Sequence, residues 1–164
     1  MPETGTLQVT TPSEREIAMT RVFDAPRRLI FDAHTKPELV RRWLLGPPGW
    51  TMPVCEIDLR VGGRYRWVWK KEKTGDEMGI GGIYREVAAP ERLVATERFD
   101  ESWYPGEAVN TLVLVERGGR TTLTQTSLYE SRAARDTALQ SGMEKGVEVS
   151  YDRLAELLAA MPAA

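Results

Sequence analysis

The sequence holds a single cysteine, Cys55, and a single histidine, His34, among 164 residues. One cysteine excludes an internal disulfide and a cysteine-rich zinc site, so Cys55 reads as a small buried strand residue. One histidine excludes histidine-rich metal motifs, and no carboxylate spacing defines a cation site. No metal and no cofactor is therefore expected. No apolar run reaches the length of a membrane span. The start, Met1-Pro2-Glu3-Thr4-Gly5, has no basic segment followed by an apolar core. A cytoplasmic location is the resulting expectation. Charge of one sign is scarce too: 22 basic against 24 acidic side chains leave a formal charge of -2. That balance gives no bulk electrostatic reason to expect nucleic acid. The run Lys70-Lys71-Glu72-Lys73 carries an internal acid and reads as a solvated hairpin end. Gly79-Ile80-Gly81-Gly82 lacks the lysine and the strand-to-helix frame of a phosphate loop. Ser127 and Ser131 stand in no nucleophile elbow.

What is present describes one domain. Residues 14–160 form a single patterned unit, preceded by a flexible or edge-associated arm over residues 1–13 and followed by a short tail, 161–164. A first strand is predicted from Arg15 to Phe23. Asp24 then caps a short helix with Pro26 in its first turn. A second short helix follows Thr35-Lys36-Pro37-Glu38, where Leu39, Val40, Trp43 and Leu44 share a face, and Gly46-Pro47-Pro48-Gly49 stops it. The period then changes to two. Cys55, Ile57 and Leu59 alternate with charged residues, and Tyr65, Trp67 and Trp69 share one strand face, opposite Arg64 and Arg66. Further strands are predicted over 78–87, 92–99, 108–116 and 121–129, with turns at Pro90-Glu91 and Arg117-Gly118-Gly119. From about Ala133 to Leu158 the pattern is helical, with a stripe of Leu139, Met143, Val147, Ser150, Leu154 and Leu158.

The predicted class is α+β. A curved antiparallel sheet wraps around one long C-terminal helix, and two short helices follow the first strand. Incomplete cover of the concave face by that helix would leave a cavity.

Candidate site residues follow from this geometry. Five tryptophans in one small domain serve either as core or as ligand wall. Tyr65, Trp67 and Trp69 come from one strand, Trp43 from the second short helix, and Trp50 from just beyond its stop. Met78 and Tyr84 alternate on a neighbouring strand with Ile80 and Gly82, the glycine leaving room for a ligand or for sheet curvature. Met143, Val147 and Tyr151 come from the last helix. Glu97 and Phe99 share a strand face, and a carboxylate there could orient a polar ligand group. His34, between the short helices, is a weaker polar candidate for acid–base work, against capping or packing. Trp103 and Tyr104, in a polar loop, read as a cavity mouth or a partner contact. No catalytic residue is singled out.

Several ordered pieces resemble the SRPBCC (START-like) superfamily, specifically its bacterial family similar to the C-terminal domain of the activator of heat-shock-protein-90 ATPase. They are Arg21-Val22-Phe23-Asp24-Ala25-Pro26, Phe31-Asp32-Ala33 leading to Trp43, and Asp58-Leu59-Arg60-Val61-Gly62-Gly63-Arg64-Tyr65-Arg66-Trp67. Gly82-Ile83-Tyr84-Arg85-Glu86-Val87, Thr122-Leu123-Thr124 and Gly142-Met143-Glu144-Lys145-Gly146-Val147 complete the set, which spans Glu14 to Ala159. The resemblance implies a helix-grip fold with a deep cavity, as in lipid-transfer domains, plant-allergen-like proteins and aromatic polyketide cyclases. It implies binding of a small hydrophobic or amphipathic molecule. An enzyme of aromatic or polyketide-like substrates and a chaperone-associated interaction module are the alternatives. A protein partner or a homodimer is compatible with all three.

Overall fold

The computed structural model describes residues 5–102, 104 and 106–162. The chain begins with strand β1 (Gln8–Thr10), β2 (Glu16–Phe23), and helices α1 (Arg27–Thr35) and α2 (Pro37–Trp43). Six strands follow: β3 (Trp50–Ile57), β4 (Arg64–Lys71), β5 (Glu77–Ala88), β6 (Arg92–Phe99), β7 (Ala108–Arg117) and β8 (Arg120–Leu128). Two helices end the fold, α3 (Arg132–Gln140) and α4 (Met143–Ala160).

The strands make one antiparallel sheet in the order β1-β2-β8-β7-β6-β5-β4-β3. From β3 onward each strand pairs with the next, as short turns dictate. Between β2 and β3 the chain must instead travel from one end of the sheet to the other. α1 and α2 carry it there, which is why this helical pair belongs to the sheet's covered face.

The expected wrap of sheet around helix is corrected by this order. β1 and β3 stand at opposite ends, so the sheet is open and neither strongly curled nor closed. Alternation identifies strands and their buried face but carries no measure of sheet coiling. α4 is not encircled; it lies on one face, with α1, α2 and α3 as its helical neighbours. The two short helices also follow the second strand, not the first.

The expected long helix is two. Gly142 takes φ +84°, a left-handed conformation that ends α3 and redirects the chain into α4. Leu139, assigned to the apolar stripe of one helix, is therefore 38% exposed. Ser131 caps α3, its Oγ accepting from the Ala134 amide at 3.0 Å. Asp24 does not cap α1. Pro26 occupies that position without a side-chain bond, and the Arg27 amide donates instead to Glu116 Oε1 at 2.7 Å.

The main core joins α1, α2 and α4 to one half of the sheet. Phe23 of β2, Leu112 of β7 and Leu123 of β8 meet Ile30, Trp43 and Leu154. Ile30, Leu123 and Leu154 are fully buried, and truncating such a leucine costs about 2–5 kcal/mol. Arg21 of β2, itself buried, reaches Asp152 of α4 at 2.8 Å and fixes the helix along the strand. On the other half, Val40 of α2 packs on Met52 and Cys55 of β3.

Candidate functional site

Between these two contacts the inner sheet face is incompletely covered. A cavity of about 380 Å³ remains there. Its sheet wall is Trp67 and Trp69 of β4, Met78 of β5, Phe99 of β6 and Gln125 of β8. Cross-strand register sets this wall, since Trp69 faces Met78 and Trp67 faces Ile80, which in turn faces Phe99. The opposite wall is Met143, Gly146, Val147, Ser150 and Tyr151 of α4. His34 of α1, Trp43 of α2, Trp50 of β3 and the loop Leu44 to Pro47 close the remainder.

That loop is held from three sides. Trp69 Nε1 donates to Leu44 O at 2.7 Å, the Gly46 amide donates to Ser150 Oγ at 2.9 Å, and Arg153 Nη1 donates to Gly46 O at 2.7 Å. These bonds satisfy backbone groups that an irregular wall would otherwise leave unpaired. Trp43 is fixed similarly, its Nε1 donating to Ala33 O at 2.8 Å. Trp67 differs. Its indole N–H is buried without an acceptor among the described residues, and an unmade buried bond is destabilising.

A second chamber, about 60 Å³, shares His34, Trp67 and Gln125 with the first. Tyr65, Tyr84, Ala95 and Asn110 are among its further walls. Tyr65 is locked: its ring lies 4.9 Å from Trp67 and its hydroxyl donates to Thr96 O at 2.6 Å. Gly82 permits this, because a Cβ there would collide with Thr96 O and the Tyr65 ring. The glycine accordingly makes room for Tyr65. Neither chamber is lined by a lysine, arginine, aspartate or glutamate.

His34 is the one histidine, and its chemistry is defined by two contacts. Nδ1 lies 2.8 Å from Ile30 O. A carbonyl can only accept, so Nδ1 carries the proton. The ring meets Trp43 edge-on at 4.8 Å. Burial lowers its pKa from 6.5 to about 4, against the opposing effect of the Ile30 bond, so the imidazole is neutral at pH 7. Nε2 is then an acceptor.

Glu97 does not line either chamber. It receives bonds from Tyr104 Oη at 3.0 Å and from Asn110 Nδ2, and Asn110 Oδ1 accepts from Ser127 Oγ at 2.7 Å. Burial holds its carboxyl above the usual carboxylate range, while the two hydrogen bonds act in the other direction. Glu97 is linked to the inner chamber by its hydrogen bond from Asn110 and by its charge acting on Tyr65.

The family model for activator of Hsp90 ATPase homolog 1-like proteins matches residues 24–159. The chain belongs to that family. A crystal structure of a Rhodobacter sphaeroides protein is 32% identical with TM-score 0.89, covering 94% of this chain and 99% of that one. A Chromobacterium violaceum protein is 27% identical with TM-score 0.78, covering 89% and 98%. A Staphylococcus epidermidis protein is 26% identical with TM-score 0.77, covering 94% of each. A search of curated proteins finds no match.

In this family member, nine of the twelve residues expected at a ligand site line the larger cavity: Trp43, Trp50, Trp67, Trp69, Met78, Phe99, Met143, Val147 and Tyr151. Tyr65 and Tyr84 line the inner chamber instead, and Glu97 stands behind it. Tyr104, expected at a mouth or partner contact, is 3% exposed and bonded to Glu97. Trp103 lies outside the described residues. His34, the weak polar candidate, lines both chambers. Sequence reasoning missed Gln125 and Asn110. Each is an amide breaking a buried alternation, Leu123-Gln125-Ser127 on β8 and Ala108-Asn110-Leu112 on β7, and that interruption was the available signal. It also missed Gly146 and the loop wall, which no local pattern assigns to a cavity. No helix among the described residues is long and apolar enough to cross a membrane, and no cluster of metal-ligating side chains occurs among them.

Proposed function

We propose that this protein reversibly binds a small hydrophobic or amphipathic molecule between the sheet and α4. The observation that carries the reading is a 380 Å³ space walled by indole, phenyl and aliphatic groups and bare of charged side chains. Apolar walls of that extent offer affinity by removing ligand surface from water, at about 25 cal/mol per Å² before the costs of association. The volume falls at the lower end of the range for drug-sized ligands, about 300–1,000 Å³. Family membership supports the reading, since the family is associated with a ligand-binding fold.

Two measurements test it. Gentle purification followed by native mass spectrometry should reveal a copurified small molecule that is released on unfolding. Titration with Nile red should raise dye fluorescence saturably in the purified protein. Dye binding that survives substitution of Gly146 and Val147 by larger residues that fill the cavity would overturn the proposal, because the dye would then be bound elsewhere.

A further inference from the structure

The geometry points to an uncharged ligand bearing a hydroxyl group, whose O–H is donated to His34 Nε2 where the two chambers meet. This rests on the cavity-binding reading and specifies what the cavity selects.

The first argument is exclusion. No lysine, arginine, aspartate or glutamate lines either chamber, and His34 is neutral. A carboxylate or ammonium would leave water without a counter-charge, and burying an unpaired charge is prohibitive. The ligand is therefore uncharged at the end it buries.

The second argument is the hydrogen-bond inventory. His34 spends its ring proton on Ile30 O, which leaves Nε2 as a bare acceptor in a ring that lines both chambers. The burial that depresses its basicity keeps it in that form. A bare buried acceptor calls for a donor. Ketones, ethers and esters offer none. A hydroxyl offers one and retains an oxygen that accepts in return. Gln125, which also lines both chambers, supplies amide donors for that oxygen. The other amide nearby is already committed, Asn110 being engaged by Glu97 and Ser127. The inner chamber, at about 60 Å³, has room for a polar group of one or two heavy atoms beside the ring that carries it. The larger chamber takes the apolar body.

Three naphthalene probes separate the possibilities, with affinities measured at pH 7 by quenching of tryptophan fluorescence. 2-Naphthol donates a hydrogen bond, 2-methoxynaphthalene only accepts, and 2-naphthoate is charged. The naphthol is expected to bind roughly five- to tenfold tighter than the methoxy compound, and the naphthoate weakest. His34→Phe should bring the ratio of naphthol to methoxynaphthalene affinity to about one, whatever the variant does to both affinities together. The wild-type protein gives an independent readout, because one histidine yields one pair of ring nitrogen resonances. The Nε2 signal should shift on adding 2-naphthol and hold still with 2-methoxynaphthalene. Equal affinity for the two neutral probes, or an unmoved Nε2 signal at saturating naphthol, overturns the inference while leaving cavity binding intact. Failure of all three probes to bind overturns both.

Discussion

Gly146 offers a test in which stability and binding move independently. It lies in α4 and lines the cavity, and a Cβ built there meets only Pro47 Cδ, at an ordinary 3.8 Å. Glycine inside a helix costs about 1 kcal/mol relative to alanine. Since nothing obstructs the methyl group, Gly146→Ala should recover most of that. The expected gain is about 0.5–1 kcal/mol, or about 2–4 °C in Tm per kcal/mol for a chain of this size. Gly146→Phe keeps part of the helix gain, because phenylalanine is also better than glycine in a helix. Its ring must occupy the cavity, so Nile red affinity should fall at least about tenfold. Thermal unfolding by circular dichroism and the dye titration, run on the same samples, provide both numbers. A Gly146→Ala protein less stable than wild type by about 1 kcal/mol would refute the reasoning, since the methyl would then be meeting a filled space. Unchanged dye binding in a folded Gly146→Phe protein would remove the cavity as the binding site.

Gly82→Ala should cost roughly 3 kcal/mol or more in urea unfolding, because the methyl must displace either β6 backbone or the Tyr65 ring; a change under about 1 kcal/mol would show that this wall yields freely. His34 should stay neutral down to about pH 4, and its ring resonances would contradict this by titrating near 6.5. Because the unfolded chain then takes up a proton between pH 6.5 and 4 that the folded chain does not, His34 contributes stability that is lost as pH falls through that window, about 3 kcal/mol in full. Glu97, with its folded pKa raised, contributes in the opposite sense, its share lost as pH rises above the ordinary 4.5. Burial pushes the Cys55 thiol up to about 11, so it should react with a disulfide reagent at pH 8 only as fast as the protein opens, and prompt labelling would place it at the surface.

The strands were legible because their faces alternate. Trp67 and Trp69 against Arg66 and Lys70 leave one assignment for the inner face, and the turn glycines bound each run. The degree of sheet curl was not legible, because the same alternation suits an open sheet and a coiled one. The break at Gly142 was readable in part. A glycine lowers helix propensity, but a single one inside a long periodic stretch is also tolerated, and only the positive φ distinguishes the cases. The aromatic wall was found because large side chains on one strand face have few alternatives to core or ligand. Glu97 was overvalued for the complementary reason. The alternation left its face open between the cavity side and an outward salt bridge, and Tyr104 and Asn110, distant by 7 and 13 residues, take up its oxygens before a ligand could.

That capture of Glu97 explains how a buried acid and a charge-free cavity coexist. Had Asn110 been apolar, the Glu97 carboxylate would lose one of its two side-chain donors, Tyr104 Oη being the other. Asn110 instead spends its amide N–H on Glu97 and its carbonyl on Ser127, which closes the network away from the chamber. His34 achieves the same on the helical side, since its only proton is committed to Ile30 O within its own helix. The buried acid and the histidine are thus both engaged within the protein. What remains along the ligand space is uncharged polarity, chiefly the His34 nitrogen acceptor and the Gln125 amide where the chambers meet, with the Tyr84, Ser150 and Tyr151 hydroxyls elsewhere on the walls. The break at Gly142 completes this arrangement. It starts α4 at Met143, so that the first two turns, carrying Met143, Gly146 and Val147, stand over the cavity while Leu154, Leu157 and Leu158 further along fasten the helix to the core. One helix therefore serves as both wall and anchor, with Val147 and Tyr151 belonging to both.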